Sequence, residues 1–302
     1  MLTSALLTIA FVAPAQTESL SPGRHTRSLT WEGVERSYIV CVPSAYDRTK
    51  PTPVVLALHG ASMNGRIMEG FSGLTPKAEE AGFIVVYPDG GPGPLFHLWN
   101  SGTFPATLRK KNFDDVGFIA KLLDELATIV NVDAKRVYCA GLSNGGMMAY
   151  RLAAELSDRI AAIAAVSGTM VCEECKPKRG VPILHFHGTK DTLVPYEGVA
   201  KELVKLSSVE DTIGTWVKLN GCKTEPEVSE LPATRDAHKV TRKSYNSGKN
   251  GSEVVLYVIG GGGHVWPGRP SPGGFLGATT YNINANDLMW EFFQKHPMKS
   301  ER

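Results

Sequence analysis

The chain has no block of like charges, no internal repeat and no second Cys-x-x-Cys pair. Each absence closes off a class of function. Lys and Arg (32) nearly balance Asp and Glu (30), leaving a formal charge of +2. That offers no basic face for a nucleic acid, so no nucleic-acid partner is expected. A zinc site needs about four ligands at suitable spacing, and Cys172-Glu173-Glu174-Cys175 stands alone. Its internal acidic residues disfavour a thiolate. A structural role is expected for it, and no metal. Beyond the N-terminus, no apolar run approaches the ~20 residues that a membrane helix requires.

The N-terminus lacks a basic segment, yet Leu2 to Ala15 is apolar and uncharged and ends in Ala13-Pro14-Ala15. That ending is an Ala-x-Ala cleavage pattern. We expect residues 1–15 to be a signal peptide and 16–302 a single domain, secreted or periplasmic, without stable membrane insertion of the mature chain. A short anchor or a buried helix is the competing reading. Export would permit a disulfide. The odd count of 5 Cys leaves at least one thiol free or bridged to another chain. Cys41 and Cys139 lie in apolar, strand-like runs and read as buried free thiols.

What is present is an alternation of strands and helices. Ser28–Trp31 and Arg36–Val42 read as strands about a Glu32-Gly33 turn. Pro53–Leu58, Phe83–Tyr87, Arg136–Ala140, Ile160–Val166 and Val181–Phe186 are short, β-rich runs, most of them continuously apolar. Such runs suit a parallel sheet covered on both faces. Asp114-Asp115 opens a helix whose Val116, Ile119, Leu123, Leu126 and Val130 share one face. Ser208–Asn220 reads as a helix stopped by Gly221. Lys239–Tyr245 and Glu253–Ile259 read as strands, and Asp287–Gln294 as a terminal helix. The pattern predicts an α/β fold with a mostly parallel, doubly wound sheet. Gly90–Asn112 and Gly260–Thr279 are long loops rich in Gly and Pro, a common seat of function.

The sharpest motif is Gly141-Leu142-Ser143-Asn144-Gly145, between the Arg136–Ala140 strand and the helical run Met147–Leu156. Strand, Gly-x-Ser-x-Gly, helix is the nucleophile elbow of an α/β-hydrolase. The turn would strain Ser143 and lift its hydroxyl above the sheet, and side chains two residues either side would collide. A glycine turn with a capping serine is the bland alternative; chain order decides against it. Serine needs a base, and the base needs an orienting acid. In this fold the order is Ser, then Asp or Glu, then His. His264 follows a strand and the run Gly260–Gly263. Asp191 follows the strand ending at Phe186, and such post-strand loops carry chemistry. Asp158 and Asp211 look like helix ends, and Asp236 lies in a polar loop. His185 reads as a core histidine and His187 as a brace for the acid turn. Amides of Asn144 and Ala61, the latter just past His59-Gly60, are the expected oxyanion donors.

Several motifs recur in a fixed order: Leu58-His59-Gly60, Tyr87-Pro88-Asp89-Gly90, Phe113-Asp114-Asp115-Val116-Gly117-Phe118, Gly141–Met148, His185–Asp191 and Gly263-His264-Val265-Trp266-Pro267-Gly268. In this the chain resembles the polyhydroxybutyrate depolymerase and feruloyl esterase group of secreted α/β-hydrolases, over roughly Trp31 to Gln294. The resemblance implies a Ser143, Asp191, His264 triad, an ester substrate and no cofactor. Polyester depolymerases of this group often carry a polymer-binding module, and few residues follow the terminal helix here. The expectation shifts toward soluble esters or esters on plant polysaccharide. Cysteines in similar places in the group imply a Cys175–Cys222 bridge, with Cys172 as the alternative partner. Trp99 and Trp266, in the long loops, are expected to line an acyl pocket, with loop packing as the alternative. A serine peptidase of the prolyl-oligopeptidase type and a noncatalytic homologue are the rival functions. The first usually carries a gating domain; the second usually loses a triad residue.

Overall fold

The computed structural model describes residues 19–92, 97–102, 113–172, 175–201, 204–271 and 273–299. The expected signal peptide, residues 1–15, lies outside them. So do parts of the first long loop, and Glu173 and Glu174.

The entry to the sheet is a hairpin. β1 (Gly23–Trp31) pairs antiparallel with β2 (Val34–Val42), with Trp31 opposite Val34. Glu32 and Gly33 both have positive φ, 49° and 74°, matching the twist of the flanking strands. β3 (Thr52–Leu58) is buried along its whole length. Helices α1 (Gly65–Ser72) and α2 (Leu74–Ala81) follow, hinged at Gly73, and then β4 (Ile84–Pro88). The chain continues through α3 (Asp115–Ile129), β5 (Val132–Leu142), α4 (Asn144–Glu155), β6 (Ala162–Val166) and β7 (Ile183–Gly188). A small hairpin, β8 (Val199–Lys201) with β9 (Val204–Leu206), stands apart from the main sheet. α5 (Val209–Asn220), β10 (Glu227–Leu231), β11 (Val240–Tyr245), β12 (Val254–Ile259) and α6 (Ala285–Lys295) complete the order.

The main sheet has ten strands in the order β1-β2-β4-β3-β5-β6-β7-β12-β11-β10. From β4 to β12 neighbouring strands run parallel; both flanks are antiparallel. Side-chain alternation splits the core in two. Val54, Leu56 and Leu58 of β3 join one apolar cluster with Leu122 and Leu126 of α3, Leu152 of α4 and Trp216 of α5. Val55 and Ala57 face the other cluster, with Met68 of α1, Ala78 of α2 and Phe293 of α6. This is the α/β-hydrolase fold, with helices on both faces.

Caps set the helix starts. Side chains of Asn64, Asp114 and Ser208 accept from the amides of Ile67, Gly117 and Asp211 at 2.9, 2.9 and 3.0 Å. Behind α3 lies a buried ion pair, Arg36 Nη2 to Asp115 Oδ1 at 2.7 Å, both side chains at most 2% exposed. The Arg36 guanidinium also covers the Phe118 ring, 4.0 Å from its centroid. Asp115 Oδ2 accepts from the Asn100 amide at 2.6 Å, which ties the start of α3 to the first long loop.

The expected Cys175–Cys222 disulfide does not form. Cys172 is bridged to Cys175, and Cys222 is a buried free thiol together with Cys41 and Cys139. The Cys222 amide closes onto the Val217 carbonyl at 2.9 Å after the Gly221 cap, which turns its sulfur toward the Ser252 carbonyl, 3.9 Å away. Cys175 sits instead against Met170, Sγ to Sδ 3.5 Å. The two bridged cysteines lie three positions apart in sequence.

Candidate active site

Ser143 leaves β5 and caps α4 with φ 54° and ψ −121°. A non-glycine residue held there stores on the order of 1–3 kcal/mol of strain. Two hydrogen bonds hold it: its amide donates to the Val166 carbonyl at 2.8 Å, and its carbonyl accepts from Met147 at 2.9 Å. The glycines of the motif are steric. A Cβ on Gly141 would run into the Gly145 carbonyl, and one on Gly145 into the carbonyls of Leu58 and His59. The elbow therefore packs backbone on backbone against the end of β3.

Asp191 lies in the turn after β7, and His264 follows β12. His264 Nδ1 donates to Asp191 Oδ2 at 2.8 Å, and both residues are 4% exposed. The other carboxylate oxygen, Oδ1, accepts the amides of Leu193 and Val194, each at 2.9 Å. Burial pushes the Asp191 carboxyl up; the hydrogen bond and charge of His264, the charge of His187 and the Val194 amide outweigh it and hold the group below its ordinary value. The two loops meet because Gly188 at the end of β7 lets the Gly260–Gly263 run pass close by. A Cβ on Gly188 would strike the Gly262 carbonyl, and that carbonyl accepts the Lys190 amide at 2.8 Å. The His264 amide donates to Leu276 at 2.6 Å, which fixes the base loop from its far side.

Ser143, Asp191 and His264 thus sit at the carboxyl ends of β5, β7 and β12, on one edge of the sheet. Ala61 lies just past the end of β3, where the Met63 amide turns back on the Gly60 carbonyl at 3.2 Å. A Cβ on Gly60 would lie 3.5 Å from that of Ser143, so this turn borders the elbow. Asn144 is the first residue of α4, where backbone amides have no acceptor within the helix. The rival acids are engaged elsewhere. Asp158 pairs with Lys178, Asp211 with Ser208, and Asp236 takes hydrogen bonds from His238, Thr280, Tyr281 and Asn282.

Residues 109–220 match the family described as Phospholipase/Carboxylesterase. A protein named as an esterase, NocK of Nocardia uniformis subsp. tsuyamanensis, is 31% identical over 283 residues, spanning 88% of this chain and 81% of that protein. The chain belongs to the esterase group of the α/β-hydrolases. Feruloyl esterase B of Piromyces equi is 33% identical over 240 residues; these are 76% of this esterase but 42% of that longer protein. An acetyl xylan esterase from Aspergillus awamori superposes with a TM-score of 0.61 at 17% identity, covering 89% of this chain and 99% of that one. That likeness concerns the fold. The reaction class that the relatives support is carboxylic-ester hydrolysis.

Both tryptophans expected in the esterase's acyl pocket are packed away, each 1% exposed. Trp266 donates from Nε1 to Asn286 Oδ1 at 2.8 Å and joins the core under α6. It anchors the base loop to α6. Trp99 donates from Nε1 to the His59 carbonyl at 3.0 Å, with the two rings 5.1 Å apart. The reason is chemical: an indole buries a large apolar surface, and each finds a single acceptor for its one polar atom. The sequence reading missed this clamping role of Trp99. It also missed that His59 Nε2 accepts the Gly90 amide at 2.8 Å, which joins the ends of β3 and β4.

Proposed function

We propose that this esterase works through Ser143, His264 and Asp191. The observation that carries the reading is the 2.8 Å bond from His264 Nδ1 to buried Asp191, on the edge where the strained elbow lifts Ser143. Nδ1 must bear the hydrogen, because the carboxylate only accepts; Nε2 is then the free base. His264 takes the Ser143 proton as Oγ attacks the ester carbonyl. Asp191 fixes the ring and stabilises its protonated form. The amides of Ala61 and Asn144 receive the oxyanion. His264 returns the proton to the leaving alcohol, and water repeats the cycle to free the acid.

We assign feruloyl- or acetyl-type esters of plant polysaccharide, or short ester oligomers, as the substrate class. The similarity to a feruloyl esterase supports this, as does the order of motifs along the chain. Export is part of the same reading, supported by the apolar Leu2–Ala15 segment and the Cys172–Cys175 bridge. Among the described residues no helix is long and apolar enough to cross a membrane. The test is one panel under one condition: hydroxycinnamate esters, acetylated xylan, hydroxybutyrate oligomers and short p-nitrophenyl esters, with Ser143→Ala as the blank. Turnover of at least one of the first three above the p-nitrophenyl esters is expected. Preference for p-nitrophenyl esters alone would contradict the assignment.

A further inference from the structure

Behind Asp191 runs a chain of buried polar rings that the mechanism above does not use. Tyr150 of α4 and His185 of β7 are fully buried, and His187 is 1% exposed. Tyr150 Oη lies 2.6 Å from His185 Nδ1. His185 Nε2 lies 3.0 Å from His187 Nδ1, and the two imidazoles stack with 4° between their planes. His187 Nε2 lies 2.7 Å from the Val194 carbonyl and 3.5 Å from Asp191 Oδ2, the oxygen that His264 also meets.

The direction of every bond follows from the last one. A carbonyl can only accept, so His187 Nε2 carries hydrogen. Burial holds both rings below the ordinary histidine range, His185 far below, although Asp191 and the Val194 carbonyl pull His187 partly back. A neutral His187 then has a bare Nδ1, which must accept from His185 Nε2–H. His185 Nδ1 is bare in turn, and Tyr150 donates to it. All three hydrogens point from the nucleophile's helix toward the acid's turn. Val194 is held on both sides: its amide by Asp191 Oδ1, its carbonyl by His187.

We propose that His187, aligned by Tyr150 and His185, is a positioning residue that fixes the Asp191 turn so that Oδ2 faces His264. The inference rests on the triad reading above. His187 does not touch the reacting atoms. It closes the turn through Val194 and directs a polarised N–H toward the oxygen that His264 shares. The groups facing it are Asp191 and His264 from the site loops, His185 from β7, and the edge-on ring of Tyr196, centroids 5.9 Å apart. Flipping one tautomer would turn a lone pair toward both the Val194 carbonyl and Asp191.

Two measurements test this. In the unmodified protein, histidine-selective 15N spectra should show His185 and His187 as Nε2–H tautomers, unchanged from about pH 6 to pH 8. An Nδ1–H tautomer or a titrating ring at either position would overturn the proposal. In kinetics, His187→Leu should lower kcat about tenfold with KM little changed, and should move the acidic limb of kcat/KM to higher pH, since Asp191 Oδ2 then faces His264 without the His187 N–H beside it. His187→Gln, which keeps a donor for Val194, should recover most of kcat, and Tyr150→Phe should repeat the loss in milder form. Rates are normalised to sites titrated with a phosphonylating reagent, so a folding defect alone leaves them unmoved. Wild-type kcat and pH limb in His187→Leu, with Ser143→Ala inactive, would overturn the positioning role and leave the triad standing. Turnover by Ser143→Ala would overturn the triad reading itself.

Discussion

The carboxamide of Asn144 grips Trp99 by both of its backbone polar groups. Asn144 Oδ1 accepts the Trp99 amide at 2.8 Å, and Nδ2 donates to the Trp99 carbonyl at 3.2 Å and to Ser101 Oγ at 3.1 Å. The indole of the same tryptophan reaches the His59 carbonyl. Trp99 therefore bridges the residue after the elbow serine and the strand end that precedes Ala61. These are the two places from which the proposed oxyanion donors, Ala61 and Asn144, would come. Trp99→Phe keeps an aromatic ring but removes the Nε1 donor together with part of the buried indole. It should lower kcat more than it raises KM, and cost about 1–3 kcal/mol of stability from the unpaired His59 carbonyl. Steady-state kinetics with thermal unfolding checks both; an unchanged kcat would mean the bridge is packing alone.

Trp266 should behave as an anchor. Its Nε1 bond to Asn286 is buried, and Asn286 Nδ2 in turn donates to the Ser72 and Gly73 carbonyls at 2.9 and 3.2 Å. Trp266→Phe should cost about 1–3 kcal/mol and lower activity on hydroxycinnamate and short aliphatic esters by the same factor. A loss confined to the hydroxycinnamate ester would restore the acyl-pocket role.

Stability should decline on mild acidification. Burial holds His59 down at about 4, even against its hydrogen bond to the Gly60 carbonyl. The unfolded chain takes up that proton near pH 6.5, the fold does not. The contribution is complete above about pH 6.5 and is lost as pH falls toward 4, at about 1.4 kcal/mol per pH unit. His185 and His187 act with the same sign. Asp191, also depressed, adds stability that goes only at lower pH, as pH falls through its own folded value. Unfolding midpoints should therefore hold from about pH 8 to pH 6.5 and then drop steadily toward pH 4, and a flat profile from about pH 6.5 to pH 5 would contradict the neutral buried histidines.

Three thiols should be silent. Burial pushes Cys41 and Cys222 up to about 11 and Cys139 further still. Native protein should react with none of them, and denatured protein with all three. Peptide mapping without reduction should recover Cys172 linked to Cys175. A Cys175–Cys222 peptide would reverse that pairing.

The elements legible in the sequence were those whose pattern reports a local cause. Apolar runs such as Pro53–Leu58 and Ile160–Val166 announced buried parallel strands, and Asp114 and Ser208 announced their helices by capping. Chain order relative to those strands marks Ser143, Asp191 and His264 as the candidate triad, and they lie on one edge of the sheet. α1 and α2 were missed because each has eight residues and Gly73 breaks the periodicity between them. β10, Glu227–Leu231, was missed because it is a largely exposed edge strand, so no apolar alternation marks it. The Trp99 bridge and the Tyr150–His185–His187 chain join residues 45 and 35 positions apart, and nothing local records such contacts. The Cys172–Cys175 bridge is set by local spacing, which the family likeness that implied Cys175–Cys222 does not carry.

The central claim is that Ser143 is the nucleophile, activated by the His264–Asp191 pair. The most direct test is covalent capture. The intact protein is treated with a fluorophosphonate, digested, and the modified peptide sequenced by mass spectrometry. One phosphonyl group per chain is expected, on Ser143, forming in step with loss of esterase activity and absent from Ser143→Ala. His264→Ala should slow the labelling by orders of magnitude. Stoichiometric inactivation with the label on any other residue, or undiminished labelling of Ser143→Ala, would contradict it.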